Sequence, residues 1–249
     1  MHFALIIFMG ASSFLPDKKQ KGEEKKMKNK FNLKKLAIAA VLCALAFVSM
    51  FVFRIKVQFL TFDAKDAIIG LCSLLLGPVY GVCSAAAVAV LEMLSVSDTG
   101  VYGLIMNFLS TGTFALTCGV IYKYKRTFSG AVFAVLMSVV SVTAVMMLAN
   151  LFITPVFMGA PRSAVIAMIP TLLLPFNLTK ASLSAGITLI IYKPLSATLK
   201  RTNLLPADGQ SYRFNMRSVI ITVCAAVVIV IAVLVLILYL NGSFEIIRS

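Results

Sequence analysis

Long apolar runs separated by short polar segments dominate this chain. A bilayer core about 30 Å thick needs ~20 apolar residues per helix. Runs of this kind predict membrane-spanning helices over 36–53, 79–95, 101–122, 128–154, 167–192 and 218–240. A shorter apolar stretch, 67–76, must also cross the membrane if the basic loops are to fall on one side. The pattern predicts an all-α integral membrane protein: a six-transmembrane-helix bundle with an extra C-terminal transmembrane helix.

Composition supports a membrane protein and narrows its chemistry. Hydrophobic residues make up 60% of the 249 residues and charged residues 13%, whereas soluble domains average about 45–50% and 25%. The five cysteines are scattered singly through apolar runs and are interpreted as small buried side chains. With one histidine, His2, and no tryptophan, a histidine-based catalytic site or a zinc cluster is unexpected. We predict no metal site and no enzyme activity.

Basic residues are distributed unevenly between the two sides of the predicted bundle. Seventeen lysines and arginines fall on the side of the N-terminus and five on the opposite side. Because basic loops stay in the cytoplasm, the N-terminus is predicted to be cytoplasmic. The net charge of +14 then reflects topology and contact with membrane lipid, and no nucleic-acid partner is expected.

These boundaries give four segments. We expect a basic cytoplasmic segment over 1–33, the six-helix membrane domain over 34–195, a polar linker over 196–217, and the extra helix with its tail over 218–249. Met27, followed by "KNKFNLKKLAIAAVL", resembles an ordinary membrane-protein start. We therefore hypothesise that it is the natural initiator, with an interfacial N-terminal helix as the alternative.

Polar side chains recur on one face of the sixth predicted span. Asn177, Lys180, Ser184 and Thr188 follow one another at offsets of 3, 4 and 4, which place them on one helical stripe. A lysine at the centre of a membrane helix costs ~2.5–3.5 kcal/mol on insertion scales. Intramembrane charges usually face a protein interior or a cavity, so Lys180 is predicted to face inward. The alternative is that it reaches to the membrane interface.

Two neighbouring spans carry matching polar positions. Thr143, Asn150 and Thr154 lie on the fifth span, and Asn107 and Thr111 on the fourth. Such residues can bond helix to helix, and that alternative stays open for the serines and threonines. For the two asparagines with the lysine we predict a ligand pocket. Amides offer both donor and acceptor, which suits a neutral heterocycle bearing carbonyls and ring nitrogens.

Two prolines and one polar loop strengthen the pocket hypothesis. Pro155 and Pro175 each free a backbone carbonyl one turn upstream, and such interruptions are tolerated beside protein or a wet cavity. The loop "RIKVQFLTFDAKD" (54–66) lies at the same end of the predicted bundle. Leu60, Thr61, Phe62 and Asp63 are predicted to line or cover the pocket. The alternative is an ordinary exposed loop.

The chain shows no motif for nucleotide hydrolysis but does show a surface suited to a partner protein. The chain holds no G-x-x-x-x-G-K-[ST] motif, so it is not expected to hydrolyse nucleotide alone. Ala40 and Ala44, four residues apart in the first span, allow another helix to approach closely. We interpret them as a docking surface for another membrane protein, with packing inside the bundle as the alternative.

Five segments between about 34 and 195 resemble one family. They are "FLTFDAKD", "LLLGPVYG", "MNFLSTGTF", "NLFITPVFMG" and "LLLPFNLTKA". Together and in this order they resemble the riboflavin-specific S components of energy-coupling factor (ECF) vitamin transporters.

The resemblance implies a six-helix subunit in the plasma membrane of a bacterium. This subunit captures riboflavin, as transported ligand and not as cofactor, from outside the cell. It implies that Asn150, Asn177 and Lys180 bind the vitamin and that residues 60–63 cover it. It also implies that Ala40 and Ala44 contact a transmembrane T subunit, which joins two cytoplasmic ATPases. The helix over 218–240 departs from the family pattern. The alternatives are an S component for another vitamin or flavin relative, and a self-sufficient ion-coupled carrier.

Overall fold

The computed structural model describes residues 18–57 and 59–205. Helix α1 spans Lys18–Val52 and is followed by strands β1 (Arg54–Val57) and β2 (Leu60–Asp63). The remaining helices are α2 (Lys65–Leu76), α3 (Pro78–Ser95), α4 (Gly100–Tyr124), α5 (Phe128–Met158), α6 (Arg162–Met168) and α7 (Leu174–Arg201), with a π-helical turn at Ile169–Leu173 between the last two.

The described helices confirm the prediction of a membrane protein with several apolar spans. Within the described residues, five helical segments are long and apolar enough to cross a bilayer: Leu33–Val52, Pro78–Ser95, Gly100–Tyr124, Phe128–Met158 and Arg162–Arg201. Helix α2 has 12 residues, fewer than a span needs, so its crossing stays a prediction. The predicted helix over 218–240 lies outside the described residues, as do 1–17 of the predicted N-terminal segment and 206–217 of the predicted linker.

The boundaries differ from the predicted ones at the last described helix. We expected the membrane domain to end at 195 and a polar linker to begin at 196, but α7 continues to Arg201. The extension includes Lys200 and Arg201 in its last turn. Basic side chains there interact favourably with the negative end of the helix dipole, which explains why a polar stretch continues the helix.

The turn between α2 and α3 follows from two residues. Gly77 adopts φ 111°, a conformation open to glycine because it has no Cβ, and Pro78 occupies the first turn of α3, where its missing N–H costs no hydrogen bond. The short α2 and the longer α3 therefore join without a loop. This join holds Lys65 and Glu92, at the far ends of the two helices, at the same end of the bundle.

Helices α2, α4, α5 and α7 share one apolar core. Small residues on α5, Ala131 and Ala134, are fully buried against Leu71, Phe114 and Leu189. Polar groups within this core form hydrogen bonds to one another. The Cys118 thiol and the Ser138 hydroxyl, for example, are hydrogen-bonded at 3.1 Å. The core fills one end of the bundle and leaves the other to the candidate site.

Residues 54–66 were expected to form a loop in an all-α protein, and this expectation is wrong. Strands β1 and β2 form an antiparallel hairpin in which Arg54 pairs with Asp63 and Ile55 with Phe62. Phe62 and Asp63 are buried, so the last two residues of β2 pack into the bundle on both faces of the strand. The hairpin lies at the ends of α3, α5 and α7, and we call this the hairpin end of the bundle.

Candidate functional site

A cavity of about 260 Å³ opens at the hairpin end. It is enclosed by the hairpin, the α3–α4 connection and the ends of α4, α5 and α7. Ligand pockets typically measure ~300–1,000 Å³, so the cavity is close to the size that a small organic molecule needs.

The α7 wall begins where the helix is irregular. The π-helical turn at Ile169–Leu173 precedes the segment that carries Phe176, Asn177 and Lys180 into the cavity. The Asn177 amide nitrogen donates to the Leu173 carbonyl at 2.8 Å. Among the described residues the amide oxygen of Asn177 has no hydrogen-bond partner, which leaves an acceptor for a ligand.

Lys180 is buried, with 7% of its surface exposed. Its Nζ donates to the Thr61 carbonyl at 3.0 Å and to Asp63 Oδ2 at 3.3 Å, and lies 3.7 Å from Asp66 Oδ2. An ammonium group has three N–H donors, so one remains after the two hydrogen bonds. Acidic partners explain how the lysine is tolerated within a membrane helix, and the remaining donor can serve a ligand.

Five buried ionisable groups form one network beneath the hairpin. Asp63, Lys65, Asp66, Glu92 and Lys180 are each at most 7% exposed. Lys65 Nζ contacts Glu92 and lies 3.4 Å from Asp63 Oδ2. The Thr111 hydroxyl donates to Asp66. A buried charge is costly unless it is paired and hydrogen-bonded, and each of these groups has a partner of opposite sign.

The electrostatics of Asp63 follow from its position between two lysines. Burial removes solvent and would raise the pKa of the Asp63 carboxyl, but the ammonium groups of Lys180 and Lys65 outweigh this effect and hold that pKa below its ordinary value. Asp63 therefore stays ionised and holds the Lys180 ammonium group in place.

The wall opposite α7 combines polar and aromatic groups. Helix α4 contributes Asn107 and Ser110, and α5 contributes Thr154. The Asn107 amide makes no hydrogen bond to another described residue. Aromatic rings surround the mouth: Phe157 lies with its centroid 6.2 Å from that of Phe59 and 6.0 Å from that of Tyr102. The cavity thus offers hydrogen-bonding groups beside apolar and aromatic surface, an arrangement suited to a flat heterocycle with polar edges.

The structure brings most of the predicted site residues to this cavity. Those that line it are Leu60, Thr61, Asn107, Asn177 and Lys180. Phe62 and Asp63 lie behind the residues that line the cavity. The Phe62 ring packs on Phe176 with centroids 4.3 Å apart, and the Asp63 carboxylate forms an ion pair with Lys180. The two residues shape the cavity without forming its surface.

Asn150 is fully buried and does not line the cavity. Its amide nitrogen donates to the Met146 carbonyl at 2.7 Å, and its oxygen accepts from the Thr154 hydroxyl at 2.9 Å. Since Thr154 does line the cavity, Asn150 lies one hydrogen bond behind the surface in this structure. Its contact with a ligand stays a prediction.

The lower part of the α7 stripe packs against α2. Thr188 donates to the Ala67 carbonyl at 3.2 Å, and Ser184 is buried one turn above it. Ala40 and Ala44 on α1 are both exposed, as a docking surface would require, while Ala39 and Ala46 beside them are buried.

Several cavity residues were missed from the sequence. Lys65 and Asp66 were not predicted as site residues, yet both are buried in ion pairs, Lys65 with Asp63 and Asp66 with Lys180. Glu92 faces the cavity, as do Arg54 and Tyr102. Arg54 donates to the Val96 carbonyl at 2.7 Å and ties the hairpin to the α3–α4 connection. No local pattern in the sequence links these charged groups, because the partners lie as far as 27 and 117 residues apart.

Comparison with known proteins gives consistent matches. Residues 34–192 match the family described as ECF transporter, substrate-specific component. The chain is 30% identical over 179 residues to the riboflavin transporter RibU of Staphylococcus aureus (strain TCH60), covering 68% of this chain and 93% of that protein. A solved structure of the S component of a bacterial ECF transporter superposes with a TM-score of 0.57 at 27% identity, covering 68% of this chain and 99% of that one.

Proposed function

Since the chain belongs to the family of ECF transporter substrate-specific components, we propose that it captures riboflavin in the cavity at the hairpin end and delivers it across the membrane. One observation carries the proposal. Asn107, Asn177 and Lys180, which come from two helices, line one cavity of about 260 Å³ together with aromatic rings.

The chemistry of riboflavin suits the lining of this cavity. Its flat ring system presents carbonyl oxygens and a ring N–H along one edge and a polyol chain elsewhere. The remaining Lys180 donor and the Asn107 amide match carbonyl oxygens, and the free Asn177 oxygen matches an N–H. Phe59, Tyr102 and Phe157 offer faces and edges against which an aromatic ring can pack. The 30% identity to a riboflavin transporter supports the same ligand.

Binding can be tested directly with the purified protein. Riboflavin fluorescence should be quenched on titration with wild-type protein in detergent, because aromatic side chains would pack against the ring. Biotin and thiamine should not compete for the cavity. Saturable binding of another vitamin with no quenching of riboflavin would show that the chain serves a different substrate.

Energy coupling is the second part of the proposal. We propose that a transmembrane T subunit and two cytoplasmic ATPases drive delivery, and that Ala40 and Ala44 contact the T subunit. Both alanines are exposed on α1, where small side chains allow close helix approach. Liposomes holding this chain alone should not accumulate riboflavin, whereas uptake without ATPase subunits would favour an ion-coupled carrier.

The α1 surface has its own test. Replacing Ala40 and Ala44 together with leucine should prevent co-purification with the T subunit and leave riboflavin binding intact. Leucine at Val41 and Val52, which are also exposed on α1 but lie to the side of the Ala40–Ala44 stripe, is the matched control. Normal assembly of the double alanine variant would place the T-subunit contact elsewhere.

A further inference from the structure

Lys65 is the most deeply buried of the five ionisable groups. It stands in the first turn of α2, is 1% exposed, and does not line the cavity. Its Nζ bridges two carboxylates from different elements, Asp63 of β2 and Glu92 of α3. A single ammonium group therefore joins the hairpin to α3, through a glutamate that lies 27 residues from Lys65 in sequence.

The bridge belongs to a chain of alternating charges. Starting from α7, the order is Lys180, Asp63, Lys65 and Glu92. The first and last members line the cavity, and the middle two do not. Lys180 and Glu92, which can contact a ligand, are thus connected through Asp63 and Lys65, which cannot. The positions of Lys180 and Glu92 therefore depend on the two buried residues between them.

The Asp63 carboxylate is fixed at both oxygens. Oδ1 accepts from the Lys65 backbone N–H at 3.2 Å, and Oδ2 faces the Lys180 and Lys65 ammonium groups at 3.3 and 3.4 Å. Without the Lys65 charge, Oδ2 would keep one cationic partner and Glu92 would lose the ammonium group that holds it. Lys180 could then shift toward either acid, and its remaining N–H would no longer have a fixed direction.

We propose that Lys65 is a positioning residue for ligand recognition: by holding Asp63 and Glu92 it fixes Lys180 and the hairpin around the cavity. The proposal rests on the proposed riboflavin binding. It assigns to Lys65 a role in affinity that is separate from its contribution to stability, although the residue never touches the ligand.

A role in stability alone makes a different prediction. A buried lysine removed from its carboxylates leaves uncompensated charge, and replacing both partners of a buried pair with neutral residues can restore stability. If Lys65 only balances charge, restoring stability should restore binding as well. If Lys65 positions Lys180 through Asp63, stability can return while affinity does not.

The experiment uses four full-length variants in detergent. Lys65→Met, Glu92→Gln and the double variant Lys65→Met/Glu92→Gln are compared with wild type, and Lys123→Met, an exposed lysine on α4, is the matched control. The thermal midpoint of the ligand-free protein and the riboflavin Kd of the monodisperse fraction are both measured. Glu92→Gln removes any direct effect of Glu92 on the ligand from the comparison.

We expect Lys65→Met to lower the thermal midpoint and to weaken riboflavin binding by about tenfold or more, the scale of losing a buried charged hydrogen-bond partner. The double variant should regain most of the midpoint yet bind about tenfold more weakly than Glu92→Gln alone, while Lys123→Met matches wild type. If Lys65→Met does not fold, the comparison of the double variant with Glu92→Gln decides the question alone.

Two results would overturn the proposal. One is a double variant that binds riboflavin as tightly as Glu92→Gln, and the other is Lys65→Met with wild-type affinity. A wild-type protein that fails to bind riboflavin would overturn the proposed function and this inference together, which separates that failure from the failure of Lys65 alone.

Discussion

The two ends of the bundle use the same helices for different purposes. At the end away from the hairpin, α4, α5 and α7 pack closely, and the polar groups there satisfy one another: Ser138 donates to the Ala134 carbonyl at 2.8 Å, and the Tyr122 and Tyr192 hydroxyls meet. At the hairpin end the same three helices enclose a cavity, and Asn107 and Asn177 keep groups without protein partners among the described residues.

Polar residues occur at both ends, so the difference lies in whether they face a cavity or another helix. Along α7, Asn177 and Lys180 face the cavity, whereas Thr188 two turns later meets the backbone of α2 at 3.2 Å. A continuous polar stripe thus lines a cavity at the hairpin end and packs against a neighbouring helix at the other end. Substitutions at the packed end should change stability, and those at the hairpin end should change binding.

The largest effect is expected at the packed end. Phe114 is 1% exposed within the apolar core, and Phe114→Ala should lower the free energy of unfolding by about 3–5 kcal/mol because it leaves a cavity. The riboflavin Kd of the folded fraction should stay within about twofold of wild type. Phe133→Ala, at a position exposed on α5, is the control. A large loss of affinity in the Phe114 variant would show that the two ends are coupled.

The next effect is expected at Lys180. Lys180→Met should weaken riboflavin binding by about 1–3 kcal/mol, since both a ligand donor and the partner of Asp63 are lost. Titration of riboflavin fluorescence measures the change, with Lys123→Met as the control for removing a lysine. Unchanged affinity would remove Lys180 from the site.

The two asparagines allow a residue that lines the cavity to be compared with one that lies behind its surface. Asn177→Ala should weaken binding by about 1–2 kcal/mol, because its oxygen faces the cavity. Asn150→Ala should weaken it by about 1 kcal/mol, through the freed Thr154 hydroxyl. Isothermal titration calorimetry of both variants with riboflavin shows which of them loses more affinity. A larger loss for Asn150 would show that its amide turns to the ligand on binding.

The smallest effect is expected at Ser184. Its hydroxyl is buried and has no hydrogen-bond partner in the described part of the chain, so Ser184→Ala should leave the free energy of unfolding unchanged or raise it slightly. Thr188→Val, which loses the bonds to Ala67 and Ser184, should cost about 1 kcal/mol. Thermal unfolding in detergent measures the stability of both variants. Equal losses would contradict the inference that Thr188, and not the Ser184 hydroxyl, holds α7 against α2.

Periodicity predicted the helical part of the site. The offsets from Asn177 to Thr188 identified the inward face of α7, and all four residues of the stripe are buried. Apolar runs likewise located α3, α4 and α5 to within a few residues, because membrane helices depend mainly on local composition. The 3.6-residue repeat cannot show where two helices diverge, so the boundary between cavity and core was not predictable.

The hairpin and the ion pairs were not predictable for a different reason. Lys65 meets Glu92 from 27 positions away, and Lys180 meets Asp63 from 117. Such contacts arise only after the helices pack. In a short polar segment, charges look exposed, and four-residue strands give too short an alternation to indicate a sheet.

The central claim is that riboflavin binds in the cavity at the hairpin end through Asn177 and Lys180. A crystal structure of the protein with riboflavin tests it most directly. The account predicts the flavin ring among Phe59, Tyr102 and Phe157, with hydrogen bonds of about 2.7–3.2 Å to the Asn177 amide and Lys180 Nζ. A flavin bound elsewhere, or bound here with Lys180 contacting only its acidic partners, would contradict it.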